Sequence, residues 1–143
     1  MIQKENFLKT LTLGGTEYDS IAYAAKVCGL DDGGFVVSGG YQEGVYVAPT
    51  GDFAQLDTAG TVHGQMDTFI AKYDSNSKLI WMSNFSGSAN DQVKQIKATD
   101  DGGIAVLIET NSNDGDMENQ NRGLYDLVIV KYDAHGKKSG NEF

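Results

Sequence analysis

The sequence repeats one phrase, and this repeat is the strongest constraint on what the chain can fold into. MDTFIAKYDSNSK at residues 66–78 returns as YDLVIVKYDAHGK at residues 125–137. A second phrase, Asp-Asp-Gly-Gly, stands at residues 31–34 and again at residues 100–103. The chain is therefore built from two copies of one supersecondary unit. The residues that recur in the first phrase are Asp67, Ile70, Lys72, Tyr73 and Asp74, which return as Asp126, Ile129, Lys131, Tyr132 and Asp133.

Charge and hydropathy exclude two classes of partner. The 143 residues include 11 Lys and Arg against 20 Asp and Glu, which gives a net charge of −9. Nucleic-acid binding depends on a basic surface that releases counterions, so no nucleic-acid partner is expected. The apolar segments are all shorter than the roughly 20 residues that a membrane helix requires, so no membrane span is expected. The length is that of one domain.

Turn-forming residues and strand periodicity predict an all-β fold. The chain has 18 glycines and a single proline, and no long stretch keeps apolar residues at helical spacing. Cys28 is the only cysteine, so it forms no internal disulfide and is expected to be a small buried hydrophobe. The Asp-Gly turns predict hairpins, because glycine accepts the positive φ that such turns require. The predicted strands are residues 20–27, 34–39, 67–73, 78–85, 92–98, 103–110 and 126–133.

The apolar pattern within these strands predicts how the sheets are covered. Residues 104–108 and 127–130 are apolar at successive positions, although side chains alternate between the two faces of a sheet. A sheet with one solvated face should alternate apolar and polar residues. We therefore expect both faces of each sheet to be covered, as they are when small antiparallel sheets stack around an axis in a β-propeller.

The repeat resembles the bacterial β-propeller repeats called SBBP. The resemblance rests on D-x-F-I-A-K-Y-D at Asp67–Asp74, Leu79-Ile80-Trp81, Gly87-Ser88, Asp91 and the turn at Asp100–Gly103. It covers roughly residues 11–136. It implies four-stranded propeller blades of a secreted or cell-surface protein, with no catalytic residue in the repeat itself. The first ten residues, MIQKENFLKT, contain no export signal. The compartment therefore follows from the resemblance alone, and an intracellular chain or one cut from a longer mature protein stays open.

The blades are expected to be completed across chains. The first repeat with a leading outer strand covers residues 7–85 and the second covers residues 86–143, within one unit of residues 1–143. Nothing after Lys137 resembles Leu79-Ile80-Trp81, so the second blade lacks its outer strand. Residues 7–13 are a spare strand, which we expect a neighbouring chain to donate. Three or four chains would then close a homo-oligomeric ring by head-to-tail contacts. The alternative is a piece of a longer propeller.

No catalytic or cofactor-binding residue is predicted. His63 and His135 have no partners at metal-ligand spacing, and no serine has the flanking residues of a nucleophile motif. One loop concentrates oxygen ligands around Gly115 and is a candidate calcium site, although its order does not fit an EF-hand. The simpler interpretation is a polar loop of turn formers. The candidate calcium ligands are Asn113, Asp114 and Asp116.

A non-catalytic interaction module is the predicted function. The connection at residues 41–64 is long and too apolar for a solvated linker, and long loops are often functional. Its aromatic residues Tyr41, Tyr46 and Phe53 are candidate ligand contacts for a protein or glycan partner. The rival hypotheses are an enzyme with its site in the central channel and a purely structural repeat. Fold alone does not decide between them.

Overall fold

A computed structural model describes residues 11–13, 25–41, 52, 54, 56, 66–118 and 120–139. The regular structure in these ranges is seven β-strands and a short 3-10 turn at Gly115–Met117, which confirms the predicted all-β class. All strand pairs are antiparallel. The first sheet has the order β1 (Lys26–Gly29), β2 (Phe35–Tyr41), β3 (Asp67–Tyr73) and β4 (Leu79–Phe85). The second has the order β5 (Asp91–Ala98), β6 (Ile104–Thr110) and β7 (Asp126–Tyr132).

Most strand boundaries fall within two residues of the predicted ones. β3 was predicted at its observed limits, because its phrase is bounded by turn residues on both sides. β1 extends to Gly29 rather than ending at Val27, since Gly29 still pairs with Phe35. The predicted beginning of this strand, residues 20–24, lies outside the described residues. The spare strand predicted at residues 7–13 is described only at residues 11–13, which lie outside any strand.

Two kinds of tight turn join the strands. Asp32 Oδ1 accepts the amide of Gly34 at 2.8 Å, and Asp101 Oδ1 accepts the amide of Gly103 at 3.1 Å. Gly33 and Gly102 adopt φ of 82° and 79°, which L-residues with a side chain rarely adopt. The predicted Asp-Gly hairpins are therefore present in both sheets.

The second kind of turn follows the repeated Lys-Tyr-Asp phrase. Asp74 Oδ1 accepts the amides of Asn76 and Lys78 at 2.8 and 2.9 Å. Asp133 repeats this arrangement one repeat later, with the amides of His135 and Lys137. These backbone donors lower the pKa of Asp133, because they stabilise its charged form. The recurring aspartate is thus explained by local turn structure.

The two sheets pack face to face around one hydrophobic core. Residues that pair across neighbouring strands share a face, so each face can be read from the register. The first sheet contributes the Ile70 face, which consists of Cys28, Val36, Ser38, Thr68, Ile70, Trp81 and Phe85. The second contributes the Val130 face, which consists of Ile96, Ile104, Val106, Val128, Val130 and Tyr132.

The remaining two faces differ in how they are covered. On the first sheet, the Phe69 face packs under Leu56 and Leu13 in a second cluster. It consists of Val27, Phe35, Val37, Phe69, Ala71 and Tyr73. On the second sheet, the Ile129 face is left open. It carries the apolar residues Ala105, Leu107, Leu127 and Ile129 among the polar residues Gln92, Gln95, Lys97, Glu109 and Lys131.

The prediction that both faces of each sheet are covered is wrong for the Ile129 face within one chain. Leu127 and Ile129 are 65% and 62% exposed. The physical reason is that each sheet covers only one face of the other. The described strands form two separate sheets rather than a closed barrel, and the second sheet has three strands. On the outer side of β7, the isolated bridge between Tyr132 and Lys138 is continued by the amide of Ser139, which donates to the Lys131 carbonyl at 2.9 Å.

Trp81 fixes the position of one sheet against the other. Its Nε1 donates to the Ala134 carbonyl at 3.0 Å, and its ring stacks on Tyr132 with centroids 6.2 Å apart. The Tyr132 hydroxyl in turn donates to the Asn84 carbonyl at 3.0 Å. Gly136 lies under the same indole ring, so that an added Cβ would lie 2.5 Å from Trp81 Cδ2. The absence of a side chain at this position allows the indole to close over the hairpin.

Substituting Gly136 should test this contact. We expect Gly136→Ala to lower the free energy of unfolding by about 2–4 kcal/mol, because strain at positive φ adds to a clash with Trp81. Gly102→Ala is the matched control. Its φ of 79° is nearly the same as the 81° of Gly136, but its added Cβ would meet only the Ala134 Cβ at 3.6 Å. The control should lose about 1–2 kcal/mol in urea unfolding. Equal losses in the two variants would contradict the packing role of Gly136.

Candidate functional site

The aspartates that the sequence places beside strand starts lie at one end of the two sheets. β3 begins at Asp67, β5 begins at Asp91, and β6 ends at Thr110. The Asp91 amide donates to the Met66 carbonyl at 2.9 Å, which joins the starts of β3 and β5. We call this the upper end. The two Asp-Gly turns lie at the opposite, lower end.

Asp91 is the centre of a buried polar cluster at the upper end. Thr110 Oγ1 donates to its Oδ1 at 2.5 Å, and Ser112 Oγ donates to its Oδ2 at 3.3 Å. The Ser112 amide donates to Thr110 Oγ1 at 3.0 Å, which orients that hydroxyl. Asp91, Thr110 and Ser112 are all fully buried. Side-chain hydroxyls therefore satisfy both carboxylate oxygens away from water.

The electrostatics of the cluster favour a protonated Asp91. Burial raises the pKa of the Asp91 carboxyl to about 7, because it removes water from the charged form. The hydrogen bonds from Thr110 and Ser112 oppose this rise, and the negative charges of Asp67 and Asp116 add to it. The Asp91 carboxyl therefore titrates near neutral pH, whereas an ordinary aspartate titrates at a much lower pH.

The geometry suits stability control better than catalysis. A general acid or base must lie within hydrogen-bond reach of the substrate proton that it transfers. Asp91 is 0% exposed, so a substrate has no direct access to it in this structure. Asp91 gains a buried negative charge as pH rises, and this charge lowers the stability of the fold.

The candidate calcium ligands form hydrogen bonds and an ion pair with other parts of the chain. Asp114 Oδ1 accepts the Ser88 amide at 2.7 Å, and Asp116 Oδ2 accepts the Ser86 amide at 2.9 Å. The other carboxylate oxygen of Asp116 pairs with Lys138. Asn113 Oδ1 accepts the amide of Asn121 at 3.1 Å. The three side chains thus lie in one loop, but they are directed at backbone and lysine donors.

No metal centre is evident among the residues that the structure describes. In those ranges, no group of three or more His, Cys, Asp or Glu side chains is placed to hold a metal ion. His135, predicted to be an exposed loop residue, is exposed in the hairpin after β7. His63 lies outside the described residues. The calcium site stays a prediction.

The candidate ligand loop is described at one of its three aromatic residues. Tyr41 is 1% exposed, and its hydroxyl accepts a hydrogen bond from Asn84 Nδ2 at 3.2 Å. The structure therefore places Tyr41 at the end of β2 within the core. Tyr46 and Phe53 lie outside the described residues.

The recurring aspartates at strand starts have different roles. Asp126 Oδ2 accepts the Arg122 amide at 2.5 Å, and Asp67 Oδ1 accepts the Gly87 amide at 3.4 Å. Both accept backbone donors, as aspartates beside turns commonly do. Sequence reasoning missed the hydroxyl cluster around Asp91. The signal available was the run Thr110-Asn111-Ser112, two hydroxyl residues at the end of the strand that pairs with β5.

A second candidate site is the exposed Ile129 face of the second sheet. Its central row, set by the strand register, is Gln95, Leu107 and Ile129, and its lower row is Lys97, Ala105 and Lys131. A shallow depression on this face is lined by Ile96 as well as by members of these rows. Leu127 and Ile129 are the exposed large apolar side chains of this face.

Comparison with known proteins found no match for this chain. No protein-family model matches it, and no curated protein or solved structure matches it either. Among the residues described, no helix has the length and apolar character needed to cross a membrane.

The pKa of Asp91 predicts how stability depends on pH. An aspartate in the unfolded chain titrates near pH 4, whereas folded Asp91 titrates at about 7. Stability from this group is complete below about pH 4 and is lost as pH rises towards 7, because the unfolded state releases the proton first. The loss is on the order of 3–4 kcal/mol.

Asp91→Asn should therefore remove this loss. We expect its free energy of unfolding in urea to exceed that of the natural chain at pH 8 and to approach it at pH 4. The exposed Asp100→Asn variant is the control and should follow the natural pH curve. An Asp91→Asn variant that follows the natural curve as well would rule out the buried carboxyl as the titrating group.

Proposed function

We propose that this chain is a non-catalytic β-propeller-type repeat module that contacts a protein or glycan partner and assembles with further copies into a closed ring. One observation carries the proposal. The two repeats form sheets of the same register, and these sheets stack face to face with an apolar face left over. Consecutive propeller blades stack in this way, and a propeller typically has about 4–8 blades.

The register makes the two sheets equivalent residue by residue. Phe35 pairs with Tyr73 in the first sheet, and Ile104 pairs with Tyr132 in the second. From these pairs onward, β2 with β3 and β6 with β7 pair in the same register. The Ile70 and Ile129 faces are therefore equivalent, as are the Phe69 and Val130 faces. A stack that continues beyond one chain explains why the Ile129 face is apolar.

Strand donation remains part of the proposal. On the β7 edge, only Lys138 and Ser139 among the described residues take the place that β4 has in the first sheet. Residues 7–13 precede the first repeat as residues 79–85 precede the second, so they could complete the rest of this edge. Leu13 packs against the Phe69 face in the single chain. Donation of residues 7–13 to the β7 edge of a neighbour would move Leu13 away from this position. An unpaired strand edge invites such pairing.

The upper end is the surface that we propose for partner contact. In the connection between β6 and β7, Leu124 and Tyr125 are exposed apolar side chains next to the exposed Arg122. Aromatic and arginine side chains are enriched where proteins contact partners. The exposed ring of Tyr125 is suited to the apolar face of a sugar or to a peptide side chain.

The mass of the particle in solution tests the assembly. We expect light scattering at micromolar concentration to give a multiple of the chain mass, three or four chains for six or eight blades. Deleting residues 1–14 should reduce this mass, because each chain then loses the segment that completes its neighbour. A natural chain that is monomeric across the concentration range would contradict assembly into a ring.

A glycan array tests the contact surface. Any glycan that the natural chain binds should bind Tyr125→Ala at least about tenfold more weakly, since truncating an aromatic anchor commonly costs this much or more. Ile80→Ala, at an exposed apolar position on β4, is the control and should bind normally. Binding that is unchanged in Tyr125→Ala would exclude this surface. An array without any binding would leave a protein as the only partner in the proposal.

A further inference from the structure

Two apolar patches remain open in the chain, one on each sheet. On the second sheet, Leu127 and Ile129 of the Ile129 face are exposed. On the first sheet, Val27 of the Phe69 face is 72% exposed, and its neighbours Phe35 and Val37 are only half-buried. Leu56 and Leu13 pack against the Phe69 face, but Val27 is not buried by them. The open part of this face therefore includes Val27.

The internal repeat shows what normally covers these positions. Ile70 is the equivalent of Ile129, and it is 0% exposed because the Val130 face covers it. Ile96 is the equivalent of Val27 in the strand register, and it is 9% exposed because the Ile70 face covers it. The two open patches thus lie at positions equivalent to parts of that contact, although Phe69, Ala71 and Tyr73 of the first sheet are already buried within the chain.

Charge at the lower end is complementary across such a contact. Within the chain, Lys72 Nζ donates to the Gly102 carbonyl at 3.4 Å and so reaches the Asp-Gly turn of the other sheet. Lys131 is the equivalent of Lys72, and Lys97 lies beside it in the lower row of the Ile129 face. The corresponding turn on the first sheet carries two exposed acidic residues, Asp31 and Asp32. Lys131 already pairs with Asp101 of its own sheet at 2.6 Å, so the exposed Lys97 is the lysine of this row that would meet the two aspartates.

We propose that the Ile129 face of one chain docks on the Phe69 face of a second copy, in the manner of the contact between the two sheets of one chain. The contact is centred on Ile129 of one copy and Val27 of the next. It is heterologous, because two different faces meet, and it extends into a ring or a filament. This inference rests on the proposed function and specifies the surfaces that the assembly uses.

Two single substitutions test the contact from its two sides. Ile129→Asp and Val27→Asp each place a charge on a side chain that is exposed in the single chain, so both variants should fold, which circular dichroism checks. We expect each variant to self-associate at least about tenfold more weakly than the natural chain in sedimentation velocity, because burying an unpaired charge disfavours contact. Ile80→Asp is the matched control. Ile80 is 52% exposed and lies in neither open patch, so its variant should associate as the natural chain does.

Mixing the two variants tests the head-to-tail geometry. Ile129→Asp keeps an intact Phe69 face, and Val27→Asp keeps an intact Ile129 face. Their equimolar mixture should therefore form a one-to-one dimer that cannot extend, whereas each variant alone stays monomeric. A contact of the Ile129 face with itself would instead leave Val27→Asp dimeric and the mixture without a new species.

The outcomes separate this inference from the function it rests on. A natural chain that is monomeric at every concentration overturns both. A natural oligomer whose mass is unchanged in Ile129→Asp and Val27→Asp overturns the inference alone, since assembly then uses other surfaces such as the β7 edge. Loss of association in both variants without rescue in the mixture also overturns the inference.

Discussion

The packing of the Ile70 face against the Val130 face is the interaction on which the rest of the structure depends. The sheets have only four and three strands, and sheets of this size depend on a packed hydrophobic face for stability. Burying one aliphatic side chain contributes roughly 1.5–3 kcal/mol, and this interface buries Val36, Ile70 and Ile104 completely. The hydrogen bonds of Trp81 and Tyr132 with backbone carbonyls fix the alignment of the sheets. Apolar burial thus supplies the stability, and two aromatic side chains supply the specificity.

The same packing brings the polar residues of the upper end together. Because β3 and β5 are joined at their starts, Asp67 and Asp91 are buried close to each other while they remain far apart in sequence. Asp114 and Asp116 then bind the segment that links the two sheets. Carboxylates therefore join the connections at this end. As a consequence of this arrangement, Asp91 is buried and its charge depends on pH.

The sequence predicts the local structure well, because local structure has local causes. The limits of β3, the Asp-Gly turns and the aspartate-capped hairpins all follow from residues within a few positions of one another. The apolar residues of the Ile129 face predict that this face is buried. They do not indicate whether the same chain or another one buries it, so the open face could not be predicted. The environment of Asp91 was also beyond the sequence, because Thr110 and Ser112 reach it only through the pairing of β5 with β6. For the same reason, Asp114 and Asp116 resemble metal ligands in sequence, while their hydrogen-bond donors are 26 and 30 residues away.

All short hairpins lie at the lower end, and the long segments between β2 and β3 and between β6 and β7 leave from the upper end. These segments comprise residues 42–66 and 111–125, so they differ in length although the strands that they join have the same register. Lengthening a surface loop costs little free energy compared with disturbing a packed core. The two repeats thus differ at their upper connections, while their equivalent strand pairs keep the same register. The upper connections can therefore acquire new recognition properties without a change in the packing of the two sheets.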